Sequence, residues 1–251
     1  MMKLSHESKL RLGVGIGAFV LIIGLVFGIS RTLIHFEGPW DFGTATLDWP
    51  GRDSGNYSAQ PQKLSSETFD ADSFQSLDLD VTSSTVEIKH VSGGPVRVIE
   101  SGRVAKGASA SDAATRNLAE VKGSTLKISQ YDCDDERAIN RTVTIELPRE
   151  VAENMVGITA SVESGDLTFT GIACRDLDVT LGSGDVEFTG AVTDTLSAEV
   201  GLGDVTFDLN QAPAKSMDVT VGSGDAEITV PNSTGFKASL TLGCGDFESD
   251  F

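Results

Sequence analysis

The chain has 251 residues and a formal charge of −18 at pH 7, with 39% apolar but only 6% aromatic residues. That composition admits one medium-sized domain with a narrow core plus a short appendage, and 27 glycines suit a turn-rich, all-β chain. The charge is unevenly divided, +3 over the first 31 residues and −21 over the rest, which excludes nucleic acid as a partner of the larger part because nothing there would neutralise phosphates.

The first element is a candidate membrane span. Leu12 to Ser30 reads LGVGIGAFVLIIGLVFGIS, nineteen residues without a charge between Arg11 and Arg31, and that length suits one helix across a hydrocarbon layer roughly 30 Å thick. A cleaved signal peptide is the competing reading, but the run is long and no Ala-x-Ala type of cleavage site follows it. An uncleaved anchor is therefore expected over residues 12–30. Lys3, Lys9 and Arg11 precede it, so the positive-inside tendency puts a short tail, residues 1–11, in the cytoplasm and the rest outside. Two small-xxx-small pairs, Gly13 with Gly17 and Gly24 with Gly28, offer a face on which two such helices can approach closely. Residues 31–62 follow as a juxtamembrane segment and linker, with Trp40 near the interface and PGRDSGNYSAQP from Pro50 to Pro61 as a flexible connector.

A β pattern starts at about Lys63. Phe74, Leu77, Leu79 and Val81 lead through Ser83-Ser84-Thr85 to Val86 and Ile88, and Val96, Val98 and Ile99 form another strand. Ala105 to Ala119 is either a short helix capped at Ser111-Asp112 or a loop. Leu118 to Ser129 reads as a hairpin turning at Lys122-Gly123, Tyr131 to Arg141 as a charged loop, and Val143 to Pro148 (VTIELP) as a strand ended by proline.

From Val156 a phrase recurs. Gly-Asp appears at Gly165-Asp166, Gly184-Asp185, Gly203-Asp204, Gly224-Asp225 and Gly245-Asp246, so the aspartates advance by 19, 19, 21 and 21 residues. Before each turn the apolar positions alternate: Ile158, Ala160 and Val162, then Leu177, Val179 and Leu181, and so on in every unit. After it come Leu167, Val186, Val205, Ala226 and Phe247, then Phe169, Phe188, Phe207 and Ile228. Each unit is thus strand, tight turn, strand, loop, buried on one face. Such a unit cannot bury its apolar face alone. Copies laid about 4.8 Å apart would stack equivalent side chains into ladders, the largest of them Phe169, Phe188 and Phe207. The expected fold is all-β: one parallel β-solenoid of about 20-residue coils over residues 63–251.

VTIELP at Val143 to Pro148, followed by Ser164-Gly165-Asp166, Ser183-Gly184-Asp185 and Ser223-Gly224-Asp225, resembles the bacterial putative-adhesin family of β-strand-repeat domains, formerly catalogued only as a domain of unknown function. The resemblance covers roughly Lys63 to Phe251. It implies a right-handed solenoid at the cell envelope, often behind one membrane helix and sometimes encoded with envelope-stress regulators, with no catalytic residues to carry over. The serine is replaced at Leu202-Gly203-Asp204 and Cys244-Gly245-Asp246.

Five acidic turns in register would align Asp166, Asp185, Asp204, Asp225 and Asp246 into a carboxylate stripe. Calcium is the obvious candidate ligand, but calcium-binding β-rolls repeat every nine residues with several acids per turn. The expected role is structural, with Gly supplying positive φ and Asp bonding its own turn, and no metal or cofactor is assigned. Histidines occur only at His6, His35 and His90, no Ser-His-Asp set is visible, and Gly182-Ser183-Gly184 lacks the strand-to-helix setting of a nucleophile elbow. Cys133, Cys174 and Cys244 form no disulfide framework. The expected function is therefore non-enzymatic, the presentation of an acidic surface for adhesion or scaffolding, with an envelope protein or wall polymer as partner. A regulatory role through the membrane helix is the alternative, and a calcium-dependent or glycan-active β-helix is the third. Self-association is expected through the helix or through an open strand at Phe247 to Phe251.

Overall fold

The computed structural model describes residues 56–130, 136–231 and 237–244. Several expectations fall outside those residues. The anchor at 12–30 is one, and with it the helix-dimer face of Gly13, Gly17, Gly24 and Gly28. The others are Cys133, the last turn at Gly245 and Asp246, and the strand expected at Phe247 to Phe251. Among the described residues no helix is long and apolar enough to cross a membrane.

Among the described residues fourteen strands form one mixed sheet. They are β1 (Gln62–Phe69), β2 (Ser76–Ser83), β3 (Thr85–Val91), β4 (Val96–Val104), β5 (Ala119–Lys122), β6 (Thr125–Gln130), β7 (Ala138–Pro148), β8 (Met155–Ser164), β9 (Leu167–Ser183), β10 (Val186–Leu202), β11 (Val205–Leu209), β12 (Ser216–Ser223), β13 (Ala226–Thr229) and β14 (Ala238–Cys244). Among the described residues two one-turn α-helices, α1 (Ala110–Ala113) and α2 (Arg149–Ala152), and a 3-10 turn at Ala71–Ser73 lie between them.

From β8 onward the chain winds as its repeat requires. Leu177 pairs with Ile158, Leu196 with Leu177, Met217 with Leu196 and Ala238 with Met217, all in parallel. On the far side of the turn Val186 pairs with Leu167, Val205 with Val186 and Ala226 with Val205. Residues 210–215 absorb the two extra positions of the first longer unit without breaking the stack, because Asn210, Ala214 and Lys215 still donate to Gly190, Thr193 and Asp194 carbonyls of the coil beneath. The expected loops shrink to bends, so that β9 and β10 each run from one side of the core to the other.

Phe169, Phe188 and Phe207 are fully buried, with ring centroids 5.5 and 6.0 Å apart along the column. Ile88, Ile145 and Val98 extend that column at one end and Ile228 at the other. At roughly 1.5–3 kcal/mol per fully buried large apolar side chain, it is a principal source of cohesion.

One expectation is corrected at the N-terminal end. The sheet is not purely parallel, since β1 runs antiparallel to β4, β4 to β7 and β5 to β6. These strands finish the described stack as antiparallel neighbours, of which only β5 and β6 form a hairpin. In addition, β2–β3, which forms one coil in register with the later units, does not stack on its neighbours in sequence. It is inserted between the coil made by β6 and β7 and the coil made by β8 and β9, pairing in parallel with both.

Smaller features follow the same local logic. The hairpin turns at Gly123, with φ of +64°. The short helix α1 is capped by Ser109, not Ser111: its hydroxyl accepts from the Asp112 backbone N–H at 3.1 Å and donates to Asp112 Oδ2 at 2.6 Å. The strand before Pro148 starts at Ala138, inside the expected loop, because Ala138 and Val104 pair across β7 and β4.

Candidate functional site

The Gly-Asp turns form one edge of the stack. Gly165, Gly184, Gly203 and Gly224 have φ between +129° and +140°, a region that L side chains rarely adopt. A Cβ at Gly184 would also lie 2.2 Å from the Gly165 carbonyl oxygen. A second glycine column runs beside the first: a Cβ on Gly182 would fall 2.5 Å from the Glu163 carbonyl oxygen, and one on Gly201 equally close to that of Gly182. The turns nest so tightly that backbone touches backbone.

Asp166, Asp185 and Asp204 each bond the neighbouring coil, and this corrects the expectation that the aspartate bonds its own turn. Asp166 Oδ1 accepts from the Asp185 backbone N–H at 3.2 Å, Asp185 Oδ1 from Asp204 at 2.9 Å, and Asp204 Oδ1 from Asp225 at 2.9 Å. Backbone bonds run alongside, from Gly184 N–H to the Leu202 carbonyl and from Val186 N–H to the Asp204 carbonyl, both 2.9 Å. One oxygen of each of these carboxylates is thereby committed to the scaffold, and the stripe is a structural clasp. Among the described residues no group of three or more His, Cys, Asp or Glu side chains is placed to hold a metal ion.

Away from the turns, the pairing register sets one outer column on each side in a pattern that the single-coil repeat conceals. Across the strands that precede the turns, Lys127, Asp78, Thr159, Asp178, Ser197, Asp218 and Ser239 are successive neighbours. Beyond Lys127, acid and hydroxyl alternate without exception. Across the strands that follow the turns the same rule gives Thr144, Glu87, Thr168, Glu187, Thr206 and Glu227. Carboxylates in these columns are two strand spacings apart, about 9.6 Å, which is close to the Debye length in 0.1 M salt. A hydroxyl stands between each pair. Lys127 closes one column with a 2.5 Å ion pair to Asp78. The signal was present in the outward residues of each unit, but it appears only when alternate coils are compared.

A third polar group lies inside. Glu100 on β4 is fully buried and accepts from Thr115 N at 2.7 Å, Thr115 Oγ1 at 2.6 Å, Gln130 Nε2 at 2.9 Å and Arg141 Nη1 at 2.7 Å. Ser84 Oγ donates to Gln130 Oε1 at 2.5 Å. Gln130 is opposite Val81 in the register, so this cluster terminates an apolar column that runs on through Val162, Leu181, Val200 and Val221. The charged surroundings of Arg141 in sequence suggest a solvated loop. It is instead the buried counter-charge of Glu100, a pairing that no sequence pattern announces.

Cys174 and Cys244 are both free thiols, the first buried and the second exposed. Burial first, and the charge of Asp176 second, push the Cys174 thiol up to about 12, so it is inert as a nucleophile at neutral pH. Arg175, on β9, is exposed and donates to Asp176 Oδ2 at 2.8 Å. Hydrogen bonds from Thr195 and from Arg175 hold the Asp176 carboxyl below its usual range.

The fold and the interlocked turns define a class of protein, the β-strand-repeat domain in which near-identical coils are clasped along one edge by Gly-Asp turns. Residues 74–251 match the Toastrack DUF4097 family, and the chain belongs to it. A putative cell adhesion protein from Clostridium sporogenes is similar in structure at 13% identity, over 74% of this chain and 100% of its own, with TM-score 0.38. A putative adhesin from Bacteroides fragilis is similar at 17% identity, over 74% of this chain and 95% of its own, also with TM-score 0.38. A putative adhesin from Parabacteroides distasonis is similar at 16% identity, over 74% and 77%, with TM-score 0.26. None of the curated proteins matches the chain.

Proposed function

We propose that this protein is a non-enzymatic binding scaffold of the cell envelope, held by residues 12–30 in the membrane with its N-terminus in the cytoplasm and residues 63–251 outside. The observation that carries the reading is the pair of outer columns in which acid and hydroxyl alternate, Asp78 to Ser239 and Thr144 to Glu227. A stack clasped at successive Gly-Asp turns holds these groups at fixed intervals without ordering cost at the moment of binding. A partner that is itself extended and periodic, a wall polymer or an envelope protein strand bearing hydroxyl and ammonium groups, would meet a matching array when laid along the stacking direction. The carboxylates would add a salt-sensitive attraction for its cations.

The test replaces the charges and keeps the shape. The full chain in detergent micelles is mixed with purified, insoluble wall polymer and sedimented. A variant carrying Asp178→Asn, Asp218→Asn, Glu187→Gln and Glu227→Gln is expected to lose at least about tenfold in retention while its melting transition is kept. Failure of the unaltered protein to sediment, or equal retention of the variant, would remove adhesion to this polymer.

The regulatory reading draws on the two glycine pairs of the span, Gly13 with Gly17 and Gly24 with Gly28. Replacing all four by leucine separates the two roles, because retention on wall polymer would survive and signalling through the span would not.

A further inference from the structure

We infer that the β14 edge is a self-association surface, on which a second copy of this chain adds its own β14 in antiparallel register about Thr241. This goes beyond the binding reading and does not depend on which ligand the outer columns take.

Among the described residues β14 pairs with β12 alone. The Lys237 carbonyl accepts from Met217 N–H, so by strand alternation Ser239 and Thr241 turn their backbone groups toward β12. The N–H and C=O of Ala238, Leu240 and Leu242 then point to the open side. Among the described residues no strand pairs with those groups, and a row of donors and acceptors of this kind is what another strand completes.

Burial changes in parallel with this. Val219 and Val221 are almost fully buried, whereas Leu240 and Leu242, their successors in the same columns, are only half-buried. Ile228 in the neighbouring ladder is also half-buried.

Charge selects the occupant. The edge strands at the opposite end are protected, β1 by Lys63 and Glu67 and β5 by Glu120 and Lys122, as edges that avoid pairing usually are. β14, ASLTLGC, has no charge at all, in a chain whose net charge is −18. Two acidic copies repel each other over most of their surface, and this strand is where they can meet without opposing charges of one sign.

The sequence of β14 is also self-complementary. In an antiparallel pair centred on Thr241, Leu240 of each copy faces Leu242 of the other. All four leucines then lie on the inner side of one continuous sheet, and their outward backbone groups bond mutually. Thr241 meets its own copy at a non-hydrogen-bonded position, where the strands approach to about 4.5 Å between Cα atoms. Such an interface is isologous and closes at two copies.

Three forms of the full chain in detergent micelles would be weighed by sedimentation equilibrium: unaltered, Thr241→Lys and Thr241→Glu. Thr241 is exposed, so neither substitution disturbs the core, and melting curves check this. The unaltered chain is expected to have twice the protomer mass. Each variant alone is expected to fall to protomer mass, and an equal mixture of the two to return to twice that mass, because Lys then faces Glu across the dyad. A protomeric unaltered chain, or Lys and Glu variants that stay dimeric alone, would overturn the proposal, the latter by placing the contact elsewhere, such as the glycine pairs of residues 12–30. A mixture that fails to recover would refute the antiparallel register.

Discussion

Asp185 reaches across to the next coil, its Oδ1 accepting the backbone N–H of Asp204 at 2.9 Å and nineteen residues further along the chain. An acceptor is what the clasp requires, and a charge is not. Asp185→Asn keeps the carbonyl oxygen and removes one of the like charges along the stripe, so its unfolding free energy is expected within about 0.5 kcal/mol of the unaltered protein. Asp185→Ala leaves the Asp204 N–H without that partner and is expected to cost about 0.5–1.5 kcal/mol. Urea denaturation of the two variants side by side decides the matter; equal losses would mean that the charge itself is what the turn uses.

Glycine at the turn is held by two independent restrictions. Gly184→Ala places a Cβ 2.2 Å from the Gly165 carbonyl oxygen at a φ of +131°, whereas Gly123→Ala, with φ of +64°, meets nothing within 4 Å. Both substitutions bear the conformational penalty, but only the first forces two coils apart. Gly184→Ala is therefore expected to lower stability by about 2 kcal/mol more than Gly123→Ala, in line with the cost of overpacking. Thermal melts of the pair provide the comparison.

The aromatic column predicts an order among its members. Phe188 has a phenylalanine on either side, 5.5 Å from Phe169 and 6.0 Å from Phe207, and Phe188→Ala is expected to cost about 3–5 kcal/mol through the cavity it opens. Phe207, whose outer neighbour Ile228 is only half-buried, can be replaced by alanine with a smaller loss, since the open end relaxes into the gap. Phe188→Asp goes further, burying a charge with no partner, and should leave the domain unfolded at ambient temperature. A cooperative melt for Phe188→Asp would show that the column is not where the fold is held.

Removing half of the Glu100–Arg141 pair should hurt more than removing both halves. Arg141→Met strands a fully buried carboxylate, with an expected cost of about 3–5 kcal/mol, and combining it with Glu100→Leu should recover part of that loss. A double-mutant cycle on unfolding free energies gives the coupling directly.

High pH should loosen the domain through Cys174. Its folded thiol is pushed up to about 12, while in the unfolded chain a thiol ionises near pH 8.5. Below about pH 8.5 both forms hold the proton and the contribution is complete. As pH rises toward 12 the unfolded form gives it up first, so stability falls, by about 2 kcal/mol at pH 10. Cys174→Ala should flatten that decline. Melting temperatures from pH 7 to pH 10.5 for both proteins provide the check, and the native protein should alkylate at exposed Cys244 well before buried Cys174.

Periodic sequence settled the part of this fold that is itself periodic. The advances of 19, 19, 21 and 21 residues between aspartates predict which residues pair, and Phe169 stacks on Phe188 and Phe188 on Phe207 as that spacing demands, because a side chain repeated once per coil has no other place to be buried. What the tertiary structure alone decided concerns partners that are not repeats of one another. The placement of β2–β3 between coils distant in sequence, the antiparallel finish at β1, β4 and β5, and the burial of Arg141 against Glu100 all depend on which backbone arrives alongside. The same holds for the turn aspartates. Periodicity revealed that each turn has one, but whether its oxygen meets its own backbone or the next coil's is set by the close nesting of the turns, a distance that exists only once the stack has formed.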